Sequence, residues 1–160
     1  MLRMRGEDMA RLLEQWEIQP NGRGVADTRS RIDSIAQELG YGPTRQRLLL
    51  LLSSEIVTNA VVHGAAPIQV GVALTLTGTQ VWVADASSDL PIVRSASLHD
   101  LGGRGLALVN RFASSWGTRL HPPGTAGGKT VWFEIDHPDP EELYGEETRA
   151  LSTTTSSSRT

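Results

Sequence analysis

Cysteine is missing from this 160-residue chain. That absence excludes disulfides, thiolate metal sites and cysteine nucleophiles together. Lysine is nearly missing as well: Lys129 is the single one, and the other cations are arginines. Lys and Arg number 15 against 18 Asp and Glu, for a net charge of -3, and the basic residues are scattered. No basic cluster is available to face a phosphate backbone, so nucleic acid is not an expected partner. Long apolar runs are absent too. The most apolar run, Leu48 to Leu52, is far too short to cross a bilayer core of about 30 Å. The first twenty residues carry acids and no uninterrupted apolar stretch, so no signal peptide is read there. The expected location is the cytoplasm, away from membranes.

What remains is ordinary for a globular chain: 39% hydrophobic and 21% charged residues, at a length suited to one domain with one core. Residues 1–14 read as a short amphipathic helix or a loose arm. Glu14 to Gln19 alternates Trp16 and Ile18 with polar residues, and Pro20-Asn21-Gly22 ends it, which predicts a strand. Ile32, Ile35, Ala36 and Leu39 share a helical stripe, predicting a helix over Asp27 to Leu39 with Gly40 as its stop. A second helix is expected from Thr44 to His63, ended by Gly64. Ile68 to Thr75 and Gln80 to Ala86 read as strands of a hairpin turning near Gly78. Ser87 to Gly103 has no period and reads as a long loop. Gly105 opens a third helix through Ala113, and Trp116 to Leu120 and Lys129 to Ile135 read as two closing strands. From His137 the chain turns acidic and then Ser/Thr-rich, a tail with too little apolar content to pack. The domain therefore spans residues 15–136, and the element order predicts an α/β two-layer sandwich. Its sheet is expected to be mixed but mostly antiparallel, with the helices on one face.

The second helix holds the sharpest anomaly. Its run LLLLLSSEIVTNAVVHG is apolar nearly all round and predicts deep burial, yet Glu55, Asn59 and His63 fall at i, i+4 and i+8 on one stripe. A buried carboxylate is costly unless paired, and Asn is a poor mid-helix residue. Two readings stand open: a solvated edge of the helix, or a polar site where Glu55 and Asn59 offer the hard oxygens that Mg²⁺ prefers. Asp85 ends the strand VWVADAS on the face of Val81 and Val83. It suits either an Asx turn or an acceptor for a purine amine at the rim of an apolar pocket. Gly102-Gly103-Arg104-Gly105 before a helix resembles a phosphate cradle, though not a dinucleotide fingerprint. The stretch GTAGGKT from Gly124 imitates a P-loop but has Pro123 where the first glycine belongs, and a strand follows it. Lys129 and Thr130 could still reach a phosphate from that strand's start.

In order, these pieces resemble one family. E-x-x-x-N-A on a helix, D-x-S at a strand end, a variable lid, G-x-G-L opening a helix and G-K-T-V-W on a strand are similar to the boxes of the histidine-kinase-like (Bergerat) ATPases. Ser87, Pro91 and GGKTVWF look most like the anti-sigma-factor serine/threonine kinase branch. The boxes run from Glu55 to Phe133, about half the chain. The resemblance implies that Asn59 holds Mg²⁺, Glu55 acts as base, and Asp85 reads the adenine amine. Gly103, Arg104 and Gly105 would line the phosphates of ATP, with Arg104 also stabilising charge, and Thr130 would sit near the nucleotide. His63 reads as a helix-end residue. Many relatives carry glycines where this chain has Ser87 and Asp89, and Asp89 sets a negative charge near the expected nucleotide.

The implied activity is phosphoryl transfer from ATP to an antagonist protein, with a sigma factor held on another surface and homodimerisation common among such proteins. The alternative is a partner-binding module, with or without nucleotide, that phosphorylates nothing.

Overall fold

The computed structural model describes residues 10–91, 105–122 and 127–138. Five strands and three helices occur in the order β1 (Arg11–Ile18), α1 (Gly22–Glu38), α2 (Pro43–His63), β2 (Ile68–Leu74), β3 (Gly78–Asp85), α3 (Gly105–Phe112), β4 (Ser115–Leu120) and β5 (Lys129–Asp136). The sheet runs β1-β2-β3-β5-β4.

Every neighbouring strand pair is antiparallel, which corrects the expectation of a mixed sheet. The helical crossover from β3 through α3 does deliver β4 parallel to β3, as a single-helix crossover should. However, β5 folds back between them and pairs with both. Likewise α1 and α2 form an up-down pair that returns the chain, so β2 enters antiparallel to β1.

Two boundaries also differ from the sequence reading. β1 starts at Arg11, so residues 11–14 are strand, not arm or helix; they pair with Val72, Ala73 and Leu74 of β2 across a bulge between Leu12 and Glu14. α1 starts at Gly22, five residues before the predicted Asp27. The Asn21 side chain caps it by accepting from the backbone N–H groups of Arg23 and Gly24, 3.0 and 3.4 Å away. Gly22 and Gly24 look like turn residues in sequence, but Gly24 is glycine because any side chain there would run into the Gln19 carbonyl. α2 keeps its predicted span, with Pro43 in its first turn and Gly64 as its cap.

One core joins the layers. Trp16, Ile18, Val70, Val72, Val81, Val83, Val131, Phe133 and Ile135 from the sheet meet Ile32, Ile35, Leu49, Leu52, Ile56 and Val57 from the helices. Alternation puts the even-numbered residues of β5 and β3 on the far face. There Trp82 and Trp132 are direct cross-strand partners. Gly71 and Gly117 flank them in the same row, and each leaves the room its neighbouring indole fills: a side chain at Gly71 would collide with Trp82, and one at Gly117 would come within 3.2 Å of Trp132. Among the described residues, no helix is long and apolar enough to cross a membrane.

Candidate functional site

α2 is less buried than its sequence predicts. The sheet, α1 and α3 cover Leu49, Leu52, Ser53, Ile56, Val57 and Ala60, but Leu51, Thr58 and Val62 stay exposed. Glu55 and Asn59 lie half-buried on this open strip, one turn apart. Facing them is Gly105, the buried first residue of α3. A Cβ at Gly105 would stand 2.6 Å from Glu55 Oε2 and 3.5 Å from Asn59 Nδ2. The absence of a side chain at Gly105 lets the Glu55 carboxylate lie against the start of α3.

Neither the Glu55 nor the Asn59 side chain makes a hydrogen bond or ion pair among the described residues. Burial pushes the Glu55 carboxyl above its ordinary range, because desolvation disfavours the charged form. Among the described residues no group of three or more His, Cys, Asp and Glu assembles. The hard-oxygen donors at this end are therefore the carboxylate and the amide, a set that suits Mg²⁺ shared with phosphate oxygens and leaves soft metals without a ligand. A helix N-terminus such as that of α3 is chemically suited to an anion.

The other end of α2 is built differently. Asp85 and Lys129 are direct partners in the β3–β5 register, both on the helix-facing side, only 3% and 5% exposed. The Lys129 ammonium donates to Asp85 Oδ1 and contacts Oδ2, each at 3.1 Å, and gives a further bond to the Ser87 carbonyl at 3.2 Å. Asp85 Oδ1 also accepts from the backbone N–H of Ser87 at 2.8 Å and of Ala65 at 3.3 Å. The Ser87 contact is the Asx turn that the sequence allowed. Ser87 repeats the device, its hydroxyl accepting from the Asp89 backbone N–H. Gly64, the α2 cap, packs so closely that a Cβ there would lie 2.7 Å from Asp85 Cγ. One carboxylate thus ties together the end of α2, the end of β3 and the start of β5.

The expected site residues separate accordingly. Glu55, Asn59 and Gly105 come together. Asp85 packs on Gly64, the α2 cap five residues past Asn59, but is engaged by Lys129. Thr130 faces the opposite side of the sheet by strand alternation, and there its hydroxyl meets His121 Nε2 at 2.9 Å. The position beside Asp85 belongs to Lys129. Its signal was in the sequence: Val131, Phe133 and Ile135 are the inward phase of β5, and residue 129 shares it. His63 is exposed in the last turn of α2, as a helix-end residue should be. Gly102, Gly103 and Arg104, with most of the expected lid, lie outside the described residues.

No protein-family model matches this chain, and no curated protein matches it.

Proposed function

We propose that the chain is a Mg-ATP-binding serine/threonine protein kinase domain of the histidine-kinase-like (Bergerat) type, working in the manner of the anti-sigma-factor kinases. The observation that carries this reading is the meeting of Glu55 and Asn59 with Gly105 at the start of α3. A half-buried carboxylate and amide without side-chain partners among the described residues, beside a helix N-terminus, are the parts phosphoryl transfer needs and a structural helix does not. Asn59 would hold Mg²⁺. When bound, Mg²⁺ supplies charge neutralisation on the phosphates.

In this reading Glu55 accepts the proton of the attacking protein hydroxyl. Its raised pKa, set by burial, makes it a stronger base than an exposed glutamate. Arg104, placed by resemblance, would balance charge on the transferring phosphoryl group. The phosphorylated antagonist and the sigma factor held on another surface follow from the same resemblance, as do a cytoplasmic location and homodimerisation; control of transcription by partner switching is the expected outcome.

A second reading has an observation of its own. Asp85, the expected reader of adenine, is already satisfied by Lys129, Ser87 and Ala65. That favours a partner-binding module with little use for nucleotide. Calorimetry separates the two. ATP binding that needs Mg²⁺ and collapses in Asn59→Ala supports the kinase domain; wild-type protein that takes up neither ATP nor ADP leaves the partner-binding module.

A further inference from the structure

The place where the chain leaves the sheet bears on what the site can act upon. β5 ends at Asp136, whose backbone carbonyl accepts from the Arg45 guanidinium in the first turn of α2. α3 starts against Glu55 and leads into β4, whose first residue, Ser115, pairs with Glu134 near that same end. α3 therefore runs back along the first half of α2, and the chain departs where the strip between the two helices begins.

That strip has a definite chemistry. It carries Leu51, one turn before Glu55, and Phe112, both exposed, with the exposed cations Arg47 and Arg111. The Arg111 guanidinium sits over the Phe112 ring, 5.4 Å from its centre. Glu55 is the single acid of α2, and α3 has none. The strip is thus apolar and positive, in a chain whose net charge is -3. Residues 139–147, DPEELYGEE, are its complement: five of the nine are acids, and Leu143-Tyr144 lies between two acidic pairs. Seven hydroxyl residues, Ser152 to Ser158, follow without a break.

We propose, resting on the kinase reading above, that the chain's own segment 139–158 docks on the α2–α3 strip and is phosphorylated on its Ser152–Ser158 run within the same molecule. The acids meet Arg47 and Arg111, while Leu143 and Tyr144 cover Leu51 and Phe112. Reach is ample. Arg45 to Glu55 is ten residues of helix, about 15 Å, whereas the fourteen residues from 138 to 152 can span roughly 45 Å. Tethering holds the hydroxyls at an effective concentration on the order of millimolar. In the transfer, the bond from the γ-phosphorus of ATP to its bridging oxygen breaks and one forms to a Ser or Thr oxygen. The hydroxyl proton passes to Glu55, and ADP leaves.

Two measurements on the full chain test this. Because the chain has no cysteine, docking can be trapped without nucleotide by an introduced disulfide, which needs a close approach of the two backbones. Protein carrying Leu51→Cys and Leu143→Cys should close an intramolecular disulfide at least about tenfold faster than protein carrying Leu12→Cys and Leu143→Cys. Leu12 is also exposed, but on the edge strand β1. Equal rates overturn the docking. With labelled Mg-ATP, wild type should gain phosphate on Ser152–Ser158, located by mass spectrometry, at a rate per molecule independent of protein concentration. Arg47→Glu with Arg111→Glu should slow that gain about tenfold or more while ATP binding, by calorimetry, is unchanged; an unaltered rate overturns the strip as the dock. ATP binding without phosphate on the run, or a rate rising in proportion to protein concentration, overturns the proposal and leaves the nucleotide site standing. If wild type binds no nucleotide, the kinase reading falls and this modification with it.

Discussion

The two ends of α2 treat their carboxylates in opposite ways. Glu55 lies half-buried with no side-chain partner among the described residues, and its proton is held more tightly than usual. Asp85 is almost completely buried yet engaged by an ammonium and two backbone N–H groups. Burial alone therefore does not mark a working residue. What separates the two is satisfaction: the end that lacks partners has chemistry to offer, while the end that has them holds the architecture together.

Breaking the satisfied end should cost the most. Lys129→Met leaves a buried carboxylate without its counter-charge, and loss of one partner from such a pair typically costs about 3–5 kcal/mol. Urea unfolding should show that drop, and adding Asp85→Asn to Lys129→Met should recover much of it. A drop below 1 kcal/mol would mean that the pair does not hold these elements together. At the unsatisfied end the expected loss is kinetic. Glu55→Ala should keep nucleotide binding and lower transfer to a protein acceptor by about 10²- to 10⁴-fold, the range for removing a general base. Unchanged transfer would remove Glu55 from that role.

The smallest effect tests the contrast most finely. Because the folded protein binds the Glu55 proton more tightly than the unfolded chain, ionisation of Glu55 weakens the fold. Glu55→Gln should therefore melt slightly higher than wild type at neutral pH. The advantage should shrink as pH falls through the raised native pKa and vanish below the ordinary glutamate value of about 4.3. A difference that grows toward acid pH would show the opposite sign of coupling.

Much of this arrangement was legible from the chain. Pro43 and Gly64 bracket α2 by local backbone rules, and the spacing of Glu55 and Asn59 puts them on one strip wherever the helix packs. The turn chemistry after Asp85 is local as well. The all-antiparallel sheet was not legible, because it depends on β5 inserting between β3 and β4, a pairing between distant segments that no local pattern encodes. Nor was the meeting of Gly105 with Glu55, which α3 makes across half the domain. The misjudged start of α1 shows a different limit: Gly22 and Gly24 weaken every helical signal, and one asparagine cap outweighs them. The face of Thr130 was legible as well, since the apolar phase of β5 gives the helix-facing place to Lys129 and the far face to Thr130.

The tryptophan row on the far side of the sheet gives the pair at the end of α2 an optical shadow. Trp82 and Trp132 belong to the same two strands as Asp85 and Lys129, stand directly opposite each other, and lie over glycines. Each indole lies against a glycine of the strand beyond it, and its near-ultraviolet circular dichroism and fluorescence report that setting. A change in how β3 meets β5 on the covered face shifts the strands that carry both indoles. The chain thus carries a native spectroscopic gauge for an event on the other side of its own sheet.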